Sequence, residues 1–206
     1  MGQYYLGYVK HNKGKEKVFD NHVEDEWNGL KLMEHSYWKN LYVGQVVNEL
    51  FYNKGRVCWV GDYYNEDDYS QVNCDKETVK RIGELVWNDN SPIKQTKGTR
   101  ANSRRLTDCL LVNHTKKVYI DCNLYRNQNT WIETYEGKDY DWCIHPLPLL
   151  TCSASHSGGS YYGIHKDLCG TWFNDEIEVV YEWEKDSLVQ QGYKKFQPRF
   201  NEHETL

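Results

Sequence analysis

The sequence predicts an α+β fold: one compact domain of antiparallel hairpins and at least two helices, assembled from two structurally related halves. Three observations carry that expectation. A short pattern occurs twice, Leu30-Lys31-Leu32-Met33-Glu34-His35-Ser36 and Leu147-Pro148-Leu149-Leu150-Thr151-Cys152-Ser153, as Leu-x-Leu-apolar-x-x-Ser. A Lys-Val-aromatic run precedes each copy (Lys17-Val18-Phe19 and Lys117-Val118-Tyr119), and a Trp-x-x-Asp run follows each (Trp59 to Asp62 and Trp172 to Asp175). Three matches in one order point to an internal repeat. Short β-rich runs around polar turns then predict hairpins, and apolar residues at helical spacing predict the helices.

Taken in order, residues 4–9 and 16–20 flank His11-Asn12-Lys13-Gly14-Lys15 and read as strand, turn, strand, with Gly14 free to take a positive φ. Between Ser36 and Lys54, the residues Leu41, Val43, Val46, Val47, Leu50 and Phe51 fall at helical spacing, and Gly55 stands where a glycine ends a helix. Residues 56–63 read as a buried strand. Asp75 reads as the N-cap of a helix whose stripe is Val79, Ile82, Leu85 and Val86. Residues 88–105 are polar and read as a linker. Residues 110–113 and 116–122 form a second predicted hairpin around His114-Thr115. In residues 171–183, Ile177 and Val179 alternate with Glu176 and Glu178, which predicts a strand. The expected organisation is a first half at 1–90, a basic linker at 91–105, a second half at 106–190, and a charged tail at 191–206 that Phe196 and Phe200 could anchor.

Composition narrows the function classes. The chain has 206 residues, enough for a single core. It is 27% charged but carries 8 Trp and 17 Tyr, so aromatic burial can hold a core that has few aliphatic residues. A net charge of −5 argues against a nucleic-acid binder. The cysteines, Cys58, Cys74, Cys109, Cys122, Cys143, Cys152 and Cys169, are odd in number and lack zinc-site spacing. They read as reduced, buried side chains, which with the absence of a signal-peptide h-region or a membrane-length apolar run gives a cytoplasmic expectation with no membrane partner and no metal. Met1-Gly2 fails as a myristoylation signal because Leu6 occupies the Ser/Thr position. The sequence names no cofactor.

The opening Met1-Gly2-Gln3-Tyr4-Tyr5, the run Gly29 to Tyr37, the strand Val57 to Tyr63 and the stretch Ile144 to Thr151 resemble a family of mostly bacterial uncharacterised proteins that begin Met-Gly-Gln-Tyr and carry a similar Gly-Leu-Lys-Leu-Met-Glu block. The resemblance covers both halves. That family has no established activity, so the resemblance implies membership and not mechanism. Its members carry a longer glycine-rich loop with Arg and Asp after Leu-Leu-Thr. Here the loop is Ser153-Ala154-Ser155-His156-Ser157-Gly158-Gly159-Ser160, and the loss of those charges weighs against a phosphate- or metal-binding role.

Four constellations could carry chemistry. Glu34 and His35 could act as acid and base with Asp62 or Ser155 across the seam between halves. The competing reading makes Ser36 the N-cap of the next helix. Ser153, Ser155, Ser157, Gly158 and Gly159 could present hydroxyls and backbone N–H groups to an anion, with Tyr161 and Tyr162 as stacking faces; no lysine follows at P-loop spacing, and an ordinary surface loop is the competing reading. Asp62 and Asp175 could pair, or serve as turn formers. Glu66-Asp67-Asp68 lacks calcium-loop spacing. Lys94, Lys97, Arg100, Arg104 and Arg105 lie in an acid-free stretch that could meet phosphate, or could simply be solvated. His145 reads as a structural histidine. The leading functional expectation is a small soluble binding protein that holds a nucleotide or other small polar ligand at the seam, with Arg104 and Arg105 contributing. The alternatives are a hydrolase or transferase built on Glu34 and His35, and a protein–protein interaction module that presents an aromatic patch.

Overall fold

The computed structural model describes residues 3–64, 72, 74–99, 107–153, 161, 163 and 165–200. The first hairpin is β1 (Tyr5–His11) and β2 (Glu16–Val23), with Gly14 in its turn at φ 78°. A two-residue β3 (Glu26–Trp27) extends it. Two helices follow, α1 (Leu32–His35) and α2 (Leu41–Glu49), then β4 (Gly55–Gly61) and α3 (Lys76–Trp87). Next come β5 (Gln95–Gly98) and a second hairpin, β6 (Cys109–Asn113) and β7 (Val118–Asp121). The chain continues through α4 (Cys122–Asn129), an outlying ribbon of β8 (Trp131–Tyr135) and β9 (Lys138–Trp142), and α5 (Pro146–Thr151). It finishes with β10 (Glu176–Tyr181), α6 (Lys185–Gln190) and β11 (Lys194–Lys195).

Among the described residues, nine strands form one sheet in the order β11-β7-β6-β10-β4-β1-β2-β3, with β5 alongside β2. Pairing is antiparallel except at β5 and β11. Alternation along β1 sends Tyr5 and Val9 to one face and Leu6 and Tyr8 to the other. The first face packs α1, α2, α4 and α5 into the largest core, around Trp59, Tyr42, Ile144 and Val179. The second face carries α3 over Leu6, Cys58 and Val60, and α6 over Leu110 and Val180. Each fully buried large apolar side chain there contributes about 1.5–3 kcal/mol.

The structure departs from the sequence expectations at definite places. The helix expected across residues 36–54 is only Leu41–Glu49, N-capped by the Asn40 side chain, which accepts from the N–H of Tyr42 and Val43. The residues before it bridge to a distant segment and then turn: Tyr37 pairs with Ile144, the Trp38 N–H donates to the Cys143 carbonyl at 2.8 Å, the His145 N–H to the Ser36 carbonyl at 2.7 Å, and the Asn40 N–H to the Tyr37 carbonyl at 3.0 Å. Ser36 therefore ends α1, its hydroxyl donating to the Leu32 carbonyl, instead of capping α2. Gly55 starts β4 and closes no helix. The strand expected over residues 171–183 is only Glu176–Tyr181, because Thr171 to Asn174 turn and bury Trp172 and Phe173. The linker contains β5, which pairs in parallel with β2. The hairpins, the Asp75 cap and the α3 stripe agree with the structure, as do the anchoring phenylalanines: Phe200 is fully buried, and Phe196 lies 5.6 Å from Trp172.

Candidate functional site

Among the described residues, a cluster of partnered polar side chains borders a hollow at the C-terminal end of α2. The apolar stripe of Val43, Val46 and Val47 ends there at the buried Leu50, and Glu49, beside it, meets the sheet. Val9 pairs with Lys17 across the hairpin, and His11 lies two residues on from Val9, so both polar side chains share the α2 face. Glu49 joins them: its Oε1 lies 2.9 Å from His11 Nε2 and its Oε2 lies 2.5 Å from Lys17 Nζ. The other ring nitrogen of His11 sits 3.2 Å from the Lys54 carbonyl, so each ring nitrogen has an oxygen acceptor in reach. Asn53 bonds back to the Glu49 carbonyl at 3.2 Å. His11 is buried, and Glu49 and Lys17 are nearly so. Gly55 lets the ring lie close: a Cβ at that position would stand 2.7 Å from Val9 and 3.3 Å from His11 Nδ1.

Two hollows open on either side of Glu49. One of about 360 Å³ is lined by Asn12, Lys13, Lys15, Tyr52, Asn53 and Lys54, with His11 and Glu49 at its base. The other, about 170 Å³, is bounded by Phe19, Gln45 and Asn48 and by Thr96 to Gly98 of β5. Since Lys17 neutralises Glu49, Lys13 and Lys15 make the larger cleft cationic, joined by Lys54, which also faces Glu178. The cleft lies beside the β4–β10 pairing. Beyond the two register pairs that β10 shares with β4, the loop after α2 takes over its edge: Val179 exchanges backbone bonds with Leu50 and Tyr52, each 2.9 Å long. Lys54 Nζ reaches Glu178 at 4.0 Å, and Tyr52 meets Tyr181 at a centroid distance of 5.8 Å. Tyr181 in turn stacks on Trp183 at 4.0 Å. Tyr52 is 51% exposed, so an open aromatic face lines the cationic cleft; Trp183, 70% exposed, lies beyond Tyr181 in a hollow with Asp108, Glu182 and Asp186.

The residues singled out in the sequence lie elsewhere. Glu34 is a capping carboxylate: its Oε2 accepts from the N–H of Leu30 (3.0 Å) and Lys31 (3.1 Å). Burial raises its pKa, but those bonds and the Lys31 ammonium outweigh it and hold the carboxyl below its ordinary value. His35 is fully buried and accepts the Trp59 indole N–H at Nε2, 2.7 Å away, which places the ring proton on Nδ1. Desolvation pushes its pKa down to about 3, against a smaller opposing pull from Glu34. A general base must reach a substrate proton, and this ring is closed off by Trp59 and Tyr42. Asp62 sits at the outer end of β4, where its Oδ1 accepts the Tyr4 N–H at 3.0 Å. Burial raises its pKa, opposed by that backbone bond. Asp175 is bound 62 residues away from itself in sequence, to Asn113 at 2.7 Å, and does not pair with Asp62.

Ser153 is buried and straps α5 to β4: its Oγ accepts the Gly61 N–H at 2.9 Å, and its N–H donates to the Trp59 carbonyl at 2.8 Å. Tyr161 offers no stacking face, because it is 1% exposed and packs edge-on against Phe200. His145 N-caps α5, accepting the Leu147 N–H at 3.2 Å, and burial lowers its pKa to about 3. Ser155, Ser157, Gly158, Gly159, Tyr162, Arg104, Arg105, Arg100 and the Glu66-Asp67-Asp68 run lie outside the described residues. Of the basic stretch, Lys97 borders the smaller hollow.

Sequence reading missed His11, Lys17, Glu49 and Lys54. The available signals were a histidine and three lysines in a seven-residue span, and a carboxylate ending an apolar stripe. No described group of three or more His, Cys, Asp or Glu side chains is placed to hold a metal. No described helix is long and apolar enough to cross a membrane. Comparison of the chain with protein-family models, with curated proteins and with solved structures found no match.

Proposed function

We propose that the protein binds a small phosphate-bearing ligand of the nucleotide class in the cleft at the join of its halves. The observation that carries the reading is the cleft itself: Lys13, Lys15 and Lys54 line a hollow of about 360 Å³ whose wall includes the half-exposed ring of Tyr52. Ammonium groups suit phosphate oxygens, and an open aromatic ring suits a base. The asparagines supply neutral donors to a ribose or phosphate oxygen. The test is calorimetric titration of AMP, ADP, GDP and inorganic pyrophosphate at low salt. Saturable binding that weakens at least tenfold in a K15A/K54A variant supports the reading. A Tyr52→Ala variant is expected to lose affinity for the nucleotides and keep it for pyrophosphate. Absence of binding at millimolar ligand would sink the proposal.

The same reading treats residues 1–90 and 106–190 as related units. Its support is topological. From either side of the β4–β10 join the sheet reads last strand, first strand, second strand: β4-β1-β2 one way and β10-β6-β7 the other. In each half, helices on the common core face precede the last strand, and a helix on the opposite face follows it. Lys17-Val18-Phe19 lies in β2, and Lys117-Val118-Tyr119 leads into β7. Trp59 and Trp172 break the match, since one lies within β4 and the other in the turn before β10. Homologous sequences whose two halves align with each other no better than shuffled sequence would refute the relationship.

A further inference from the structure

The ribbon of β8 and β9 stands apart from the nine-stranded sheet. Glu136 and Gly137 turn it with φ of 50° and 75°, the two positive values of a tight two-residue hairpin. Cross-strand pairs Trp131–Trp142, Glu133–Tyr140 and Tyr135–Lys138 put four aromatic rings on one face. Its base is fixed: Asp141 bonds Lys39 and Arg126, and Trp142 meets Tyr37 at 5.1 Å. Its outer part is bare, with Ile132 69%, Tyr135 67% and Tyr140 43% exposed. A two-stranded ribbon is marginal by itself, and one that holds apolar side chains in water calls for a cover. Glu133, Glu136 and Asp139 against Lys138 make that outer part acidic.

Tyr52, 51% exposed, lines the lysine-lined cleft. One chain thus carries an aromatic acidic projection and an aromatic cationic hollow. Two projections of like charge repel each other, whereas projection and hollow attract. We propose that the protein forms a two-fold dimer in which the β8–β9 ribbon of each copy docks in the Lys13/Lys15/Lys54 cleft of the other. Reciprocal exchange uses both surfaces on both copies and closes the assembly, so it ends at two chains. The proposal shares the cleft with the nucleotide reading but does not rest on it. If both hold, an anionic ligand and the ribbon compete, and saturating nucleotide dissociates the dimer.

The test is molar mass by light scattering on the intact chain and two charge-reversed variants, E133K/E136K/D139K and K13E/K15E/K54E. The native protein is expected to be a dimer at micromolar concentration, with dissociation promoted by salt. Each variant alone is expected to be monomeric, since its ribbon and cleft carry the same sign. An equimolar mixture is expected to regain a dimer, because each ribbon again meets an opposite cleft. Circular dichroism of each variant checks that the fold is kept. A native monomer at every concentration, a dimer that survives either reversal, or a mixture of folded variants that stays monomeric overturns the proposal. Nucleotide titration of the monomeric E133K/E136K/D139K variant, whose cleft lysines are intact, separates the two ideas: binding there with a monomeric native protein keeps the ligand reading and removes the docking one.

Discussion

Two buried histidines make the protein's stability fall with acid in a window where carboxylates remain ionised. Desolvation lowers both His35 and His145 from 6.5 to about 3 in the folded chain. Unfolding returns each ring to water and to its ordinary affinity for protons. The unfolded state therefore binds more protons between those values, and native stability is lost as pH falls from the unfolded value towards the folded one. At pH 5 the solution is about 1.5 units below the unfolded value, which at about 1.4 kcal/mol per unit costs roughly 2 kcal/mol for each ring. The pair together costs about 4 kcal/mol, a large share of the roughly 5–15 kcal/mol by which domains are stable. Glu34, with its folded pKa held low, adds its own loss only below its ordinary value near 4.5. Urea unfolding at steps from pH 8 to pH 5 reads the effect as a falling midpoint. The His35→Gln/His145→Asn variant keeps an acceptor for Trp59 and for the Leu147 N–H, and is expected to flatten the curve whatever its stability at pH 8. Proton uptake on unfolding the native protein, measured calorimetrically in buffers of different ionisation enthalpy, gives the same answer without a variant. A variant with an unchanged pH slope, or native stability constant down to pH 5, would refute the reasoning and reopen His35 as a solvent-connected base.

Removing the Ser153 hydroxyl leaves the buried Gly61 N–H without its acceptor. The Ser153→Ala variant is accordingly expected to lose about 1–3 kcal/mol in urea unfolding, and no measurable loss would show that Ser153 is not the strap. Six cysteines are buried and Cys74 is partly open. Burial raises the thiols of Cys58 and Cys143, while Cys122 is raised first by its contact with Cys109 and Cys152 by its contact with Cys169. Burial raises the Cys74 thiol as well, so under native conditions an aromatic disulfide reagent is expected to modify Cys74 first but more slowly than a free thiol, with the rest reacting only on unfolding; a second thiol that reacts as quickly as Cys74 would contradict this.

What the sequence disclosed is what local pattern controls. The β1–β2 turn was legible because Gly14 is the residue its φ requires, and α3 because Asp75 caps a single clean stripe. The extent of α2 was not, since residues 36–38 have apolar neighbours that suit a helix yet pair with residues 143–145, a contact over a hundred residues long. Propensity yields there to a tertiary partner that no window of sequence contains. Trp172 and Phe173 misled in the same way, because burial in a turn leaves the composition of a strand. The candidate site was illegible for a further reason. His11, Lys17 and Glu49 come from three elements, and each alone looks like an ordinary surface residue. Only the strand register and the end of α2 bring them within bonding distance. His35, by contrast, stood beside a carboxylate in the sequence and faces Trp59 in the core.

That origin ties the cleft to the global fold. Its walls come from a hairpin turn at residues 11–15 and a helix-to-strand loop at residues 49–54, and the loop is held by backbone bonds to Val179. The β4–β10 pairing beside it has two register pairs, so the position of that loop depends on β10 being folded against it. An unfolded chain lacks the arrangement of lysines that makes the cleft cationic. A ligand that recognises those lysines together has nothing to bind in the unfolded ensemble, so its binding free energy adds to stability by mass action. The contribution is about 2.7 kcal/mol when free ligand is a hundredfold above its dissociation constant. Such coupling separates a ligand seated in the cleft from one attracted to scattered surface lysines, which the unfolded chain presents equally well.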